Sequence, residues 1–290
     1  MAKTSTLSAY ARLFRIEHAL LLALAVLLSE FLAGDAFGIA LPALHIILLS
    51  LLVPIFIEMG SFALNDYFDV ESDKANKRSD RPIASGEISP SFALIAAAAA
   101  YLLGIVCALP LPAYALYISI IFAALSLAYN FKLKELPLVG NVYIAASMAI
   151  PFLFGNLVIT QSMHIPSLLI GLVVFASGLG REIIKTTEDM EGDVKHRKAK
   201  TLPVLIGKKN ACYFASACYF ALVPLSILPF AFGLRINMLS VSLVLLSAFS
   251  FVALGISVAK SQGKENLESS RKASLFALAI GFVGYAASLI

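Results

Sequence analysis

The chain has 290 residues, of which 60% are hydrophobic and 14% charged, with a net charge of +4 and a mean hydropathy of +0.88. Soluble domains carry about 25% charged residues, so a water-soluble fold is excluded. The apolar residues run in long blocks, as a hydrocarbon core of about 30 Å requires of spanning helices.

Nine such blocks follow one another, at 17–33, 41–64, 91–109, 112–130, 138–159, 166–184, 211–232, 237–259 and 273–290. All are predicted helices, because backbone polar groups in lipid must be satisfied within each segment. The predicted fold class is therefore an all-α membrane protein, a bundle of nine transmembrane helices with a central cavity opening near the cytoplasmic face, in one domain over 1–290. The first block lacks a small-residue cleavage site and is followed by further spans, so it reads as a span rather than a signal peptide. Cys107, Cys212 and Cys218 lie inside blocks without metal or redox spacing and read as packing residues.

With nine spans, all of the 22 Lys and Arg residues except Arg235 fall on the side of the N-terminus. The excess of basic residues in cytoplasmic loops then makes that side cytoplasmic and favours an odd span count. The localisation expected is an integral, multi-pass membrane protein with the N-terminus and both acidic motifs cytoplasmic. Lys260 to Lys272 read as head-group anchors to membrane lipids.

In chain order, Arg15, beside Glu17 and His18, stands at the entrance to the first span, where it can face a phosphate or anchor at head groups. Glu58 lies within the second span, seven residues before Asn65 and so on nearly the same face, where a carboxylate needs a partner or a wet cavity. The first acidic motif runs Asn65-Asp66-Tyr67-Phe68-Asp69-Val70-Glu71-Ser72-Asp73, followed by Lys77-Arg78-Ser79-Asp80-Arg81-Pro82-Ile83. At helical pitch Asn65, Asp69 and Asp73 line one face with Asp66 beside them. Carboxylates so spaced repel unless a cation sits among them. Oxygen-only ligands suit Mg²⁺, which commonly shares substrate phosphates.

At the end of the fourth span comes Tyr129-Asn130-Phe131-Lys132-Leu133-Lys134, whose lysines can reach a phosphate or snorkel to head groups; Lys132 is the preferred diphosphate ligand of the two. The second acidic motif is Gly180-Arg181-Glu182-Ile183-Ile184-Lys185-Thr186-Thr187-Glu188-Asp189-Met190-Glu191-Gly192-Asp193, with Arg181 and Lys185 one and two turns before Asp189. Four spans separate the motifs, so both emerge on one side. Together they describe a diphosphate site with Mg²⁺. His45, His164 and His196 lack ligand-like neighbours and read as structural or exposed.

These residues resemble the UbiA family of intramembrane prenyltransferases, whose NDxxDxxxD and DxxxD motifs correspond to Asn65–Asp73 and Asp189–Asp193. The resemblance extends from first span to last. Within the family, Asp80-Arg81-Pro82-Ile83, Tyr129-Asn130, Gly180-Arg181-Glu182-Ile183-Ile184-Lys185 and Lys200-Thr201-Leu202-Pro203 are most like the archaeal digeranylgeranylglyceryl phosphate synthases, with a departure at Thr186-Thr187.

The resemblance implies Mg²⁺-dependent transfer of a prenyl group, geranylgeranyl by preference, from a prenyl diphosphate to a lipophilic acceptor, with geranylgeranylglyceryl phosphate favoured. It implies Asp66, Asp69, Asp73, Asp189 and Asp193 as metal ligands, with Asn65 beside them. Arg15, Lys132, Arg181 and Lys185 are the expected diphosphate ligands, and Glu58 and Tyr129 the residues at the acceptor, Glu58 as base. Phe62, Tyr67, Phe68, Tyr129, Tyr143, Phe152 and Phe154 are candidates to wall the prenyl chain and steady an allylic cation, with Asn141 and Asn156 a weaker suggestion. No nucleic acid and no obligate protein partner is called for. An aromatic acceptor of quinone biosynthesis is the enzyme alternative that the motifs leave open. A lipid or ion transporter is the alternative of another class, against which stands the position of the carboxylates at helix ends rather than at the midplane.

Overall fold

A computed structural model of the protein describes residues 6–75, 78–160, 162–190 and 200–290. Their regular structure is helical throughout, in the order α1 (Thr6–Phe14), α2 (Ile16–Phe37), α3 (Leu44–Phe68), α4 (Val70–Ala75), α5 (Pro90–Ala108), α6 (Ala113–Phe131), a 3₁₀ turn (Leu133–Glu135), α7 (Val139–Thr160), α8 (Ile165–Glu188), α9 (Leu202–Ile206), α10 (Lys208–Ala231), α11 (Met238–Lys260), α12 (Lys264–Ala286) and a closing 3₁₀ turn (Ala287–Leu289). Among the described residues, nine helices are long and apolar enough to cross a membrane. Large side chains such as Leu21, Leu102, Ile121, Phe249 and Phe276 face outward on these helices. A surface so apolar suits hydrocarbon and would aggregate in water.

The helices run past the apolar blocks where function or charge requires it. Helix α3 continues to Phe68, carrying Asn65 and Asp66 beyond the apolar stretch with Asp69 at its cap, and α8 continues to Glu188 with Asp189 at its cap. Helix α12 begins at Lys264 rather than at 273, because its first turns are polar yet helix-forming, with Glu268 and Lys272 paired at i, i+4.

Helix α3 packs on α2, α5 and α6, while α8 packs on α7, α10 and α12; the α2–α7 contact joins the two groups. Close approach at that junction depends on Gly155, where a Cβ would lie 2.5 Å from Val26 O. Small residues let membrane helices meet backbone to backbone in this way. One hydrophobic cluster, including Ala9, Leu13, Ala63, Leu64, Ile83 and Ile88, pins α1 and the loop after α4 onto α3. That pinning brings the first motif's trailing loop back over the helix end.

Candidate active site

At the C-terminal end of α3, Asp66 is 1% exposed. Its Oδ1 accepts from Arg15 Nη2 at 3.0 Å and from Arg81 Nη1 at 2.7 Å. Oδ2 is buried and has no hydrogen-bond partner. Asp69 ends the helix with φ −93° and ψ 0°, and the chain re-enters helix at Val70. The face that the spacing predicts is therefore interrupted at Asp69, although Asp73 N still donates to Asp69 O at 2.8 Å. Asp69 accepts from Asn65 Nδ2 at 3.1 Å and from Lys134 Nζ at 2.5 Å, and Asn65 also donates to Asn130 Oδ1 at 3.0 Å. Asp73 is buried, with Arg81 Nε at 3.9 Å.

The cations are held by local backbone events. Arg15 links α1 to α2 in the left-handed conformation, φ 43° and ψ 56°, uncommon for a residue with a Cβ. That turn aims its guanidinium at Asp66 and lays it 4.1 Å over the Phe62 ring. Arg81 is set by the loop in which Ile83 and Ile88 are buried and Gly86 supplies a positive φ of 80°. The Arg12–Glu87 ion pair, 2.6 Å, ties this loop to α1. Arg78 hydrogen-bonds Asp80 and holds that carboxyl below its usual range, and Arg78 is within electrostatic reach of Asp73 and Asp189. Arg78 thus lies near a carboxylate of each motif.

Of the two lysines after α6, the structure gives the contact to Lys134. Lys132 sits where the chain leaves the helix, at φ −147° and ψ −38°, and its side chain is 63% exposed and paired with Glu135. The 3₁₀ turn that follows swings Lys134 inward to Asp69. Arg81 and Asn130 are further members of the cluster that sequence reading left out of the site. Their signals were the arginine of Asp80-Arg81-Pro82-Ile83 and the asparagine beside Tyr129.

In the second motif, Asp189 caps α8 and its side chain is exposed, while Asp193 lies outside the described residues. Arg181 donates to the buried Glu182 at 2.8 Å, and Lys185 stands 3.5 Å from the same carboxylate. Glu188 accepts from Arg271 at 2.9 Å, which fastens the end of α8 to α12. Among the described residues no three carboxylate, imidazole or thiolate groups close on one point. In the first motif, cations of the protein stand between the carboxylates.

Beginning one turn inward from Asn65, a cleft runs between α2, α3, α6 and α7, with about 520 Å³ of empty space that includes its open mouth. Its walls include Leu22, Val26, Val53, Phe122, Tyr143 and Phe154, and Glu58 and Ser61 stand at the end nearest the motif. Ser61 Oγ accepts from Ser126, which is hydrogen-bonded to Tyr101. Tyr129 stacks on Tyr143 with centroids 4.8 Å apart. Of the other aromatic candidates, Phe152 is buried in the packing of α2, α7 and α8, and Phe68 is exposed. Asn141 donates to Thr186, and Asn156 to Thr160.

The profile of the UbiA prenyltransferase family matches residues 19–280. A digeranylgeranylglyceryl phosphate synthase of Archaeoglobus fulgidus is 35% identical over 94% of this chain and 92% of its own. One from Thermococcus kodakarensis is 31% identical over 95% and 96%. A solved structure concerned with digeranylgeranylglyceryl phosphate synthase in membranes superposes with a TM-score of 0.78 at 28% identity, covering 99% of both chains. A UbiA homologue of Archaeoglobus fulgidus, bound to DMAPP and Mg²⁺, shares the fold with a TM-score of 0.65 at 21% identity, covering 95% of this chain and 98% of its own.

Proposed function

The chain belongs to the UbiA prenyltransferase family, and from that premise we propose that it transfers a geranylgeranyl group from its diphosphate to geranylgeranylglyceryl phosphate at the acidic end of the bundle. One juxtaposition carries the assignment of the site: a cluster of three carboxylates and three cations lies a single helical turn from a cleft with apolar walls. That is the shape of a ligand with a charged head and a hydrocarbon tail. The acceptor follows the two relatives named for this synthesis, which the chain matches over nearly their whole length. The basic loops favour a cytoplasmic location for this end.

Mg²⁺ fits the donor set. Asp66 Oδ2 is a buried acceptor without a partner, and Mg²⁺ is usually held by one or two carboxylates together with substrate phosphates. Asp66, Asp69 and Asp73 would hold it from the first motif, and Asp189 and Asp193 from the second. When bound, it neutralises charge on the diphosphate.

The chain's own groups do the remaining work. Lys134, Arg81, Arg15 and Arg78 orient the diphosphate and stabilise the charge that grows on it as it leaves. Lys185 and Arg181 serve from the second motif. The cleft holds the prenyl chain and keeps water from its reactive end. The bond between prenyl C1 and the diphosphate oxygen breaks with its electron pair leaving on the diphosphate. The acceptor hydroxyl oxygen then bonds to C1, and its proton passes to Glu58, which stands in the cleft wall one turn from Ser61. Tyr143, in the cleft wall and stacked on Tyr129, would offer its ring to the developing positive charge.

The test is purified protein with Mg²⁺ and geranylgeranyl diphosphate, offered geranylgeranylglyceryl phosphate or an aromatic acid, with products weighed by mass spectrometry. A doubly prenylated glycerophosphate is expected. Product from the aromatic acid alone would replace the acceptor, and no product from either would overturn the assignment.

A further inference from the structure

Glu30 is a carboxyl that the chemistry above does not use. It lies in the middle of α2 and is 0% exposed, with neither side-chain oxygen hydrogen-bonded. Ser50 on α3 faces it, also 0% exposed, but gives its own hydrogen to Ile47 O at 2.7 Å. An unpartnered carboxyl in hydrocarbon carries a desolvation cost that a leucine would avoid. Its place relative to the cleft offers a reason for keeping it.

Leu22 and Val26 line the cleft from α2, and Glu30 is the next residue in that i, i+4 series. Val53, Pro54 and Ile57 line it from α3, with Ser50 one turn before Val53. Glu30 and Ser50 are therefore the next polar side chains beyond the cleft's inner end on α2 and α3, beside the apolar packing of Leu111, Ala115 and Val158 on Val26, Val53 and Phe154. At the same level α2 and α7 meet backbone to backbone. Gly155 abuts Val26 O, and Ser29 Oγ donates to Phe152 O at 2.6 Å. With that side shut, and Leu111 and Ala115 packed in on the side of α5 and α6, the two polar residues close the side toward α3.

The depth matches a particular chain. From Asp66 to Val53 is about 20 Å along α3 at 1.5 Å per residue. Four isoprene units in extended form, with C–C bonds of about 1.5 Å, also span roughly 20 Å. A fifth unit would meet Glu30 and Ser50.

We infer that Glu30, backed by Ser50, is the floor of the prenyl cleft and the residue that sets the upper limit on donor chain length. This rests on the reading that the cleft takes the donor's tail. The floor works by bulk and by polarity, since a fifth isoprene unit would have to displace the carboxyl and lay hydrocarbon against it.

The test compares the C20 and C25 prenyl diphosphates as donors in wild type, Glu30→Ala, Glu30→Val and Glu30→Gln, each checked for folding by its melt in detergent. The ratio of kcat/KM for C25 over C20 should rise about tenfold or more in the Ala and Val variants as overpacking is relieved, and stay at the wild-type value in Gln. An unchanged ratio in whichever of Ala and Val is folded would overturn the inference, as would an equal rise in Gln. If wild type itself makes no product from the C20 donor, the fault lies with the proposed function on which the floor depends, and both fall.

Discussion

Lys134→Ala and Lys132→Ala should differ sharply although the residues are two apart. Lys134 is 10% exposed and its Nζ stands 2.5 Å from Asp69 Oδ1, whereas Lys132 is 63% exposed and meets only Glu135. Removing one member of a buried pair costs about 3–5 kcal/mol. Asp69 keeps its contact with Asn65 and some solvent, so a stability loss of about 1–3 kcal/mol is expected for Lys134→Ala. An exposed pair contributes about 0–1 kcal/mol, which sets the ceiling for Lys132→Ala. In transfer, losing one charge-assisted hydrogen bond of about 1.5–3 kcal/mol should lower kcat/KM roughly 10- to 150-fold in the Lys134 variant. The Lys132 variant should stay within about fivefold of wild type. Initial rates at saturating Mg²⁺, with melts in the same detergent, read both effects. A loss in Lys132→Ala as large as that in Lys134→Ala would refute the assignment of the inward lysine.

Asp66→Ala strands the guanidiniums of Arg15 and Arg81, each 19% exposed, and should destabilise the protein by about 3–5 kcal/mol; denaturant melts that show a larger loss for Asp69→Ala would contradict this ordering. Glu58→Gln keeps the size of the side chain but cannot accept a proton, so kcat should fall by about 10²- to 10⁴-fold while the KM for the donor holds. A rise in donor KM at constant kcat would instead make Glu58 a binding residue. Mg²⁺ together with a non-hydrolysable diphosphate should stabilise wild type by about 2.7 kcal/mol at a hundredfold excess over Kd. Chelation should abolish that gain, and Asp66→Asn should lack it; an unaltered thermal shift in that variant would remove Asp66 from the ligand set.

The spans were readable because lipid imposes a coarse rule, a long apolar run made helical, and each of the nine blocks has its helix among the described residues. The acidic motifs were readable because four-residue spacing survives in any helix, even one interrupted at Asp69. What could not be read were local backbone turns. Neither the left-handed Arg15 nor the turn at Lys132 leaves a periodic trace, yet the first aims a guanidinium at Asp66 and the second decides which lysine faces inward. Glu30 was passed over for a different reason. A single carboxylate hardly lowers the hydropathy of an apolar block, and only packing reveals that nothing bonds it.

The mixture of charges at the first motif bears on mechanism more than its acidity does. Asp66, Asp69 and Asp73 are matched by Arg15, Arg81 and Lys134, each within contact or near-contact distance of a carboxylate. A metal diphosphate carries both signs of charge, so in such a cluster the carboxylates would answer its cation, and the guanidiniums and ammonium its phosphate oxygens. Stabilising charges that need little reorganisation are the ones most effective on a developing leaving group. A site built only to carry a cation would gain nothing from three fixed positive charges among its ligands, which repel that cation. The arrangement therefore favours chemistry on a phosphate-bearing substrate over ion coupling.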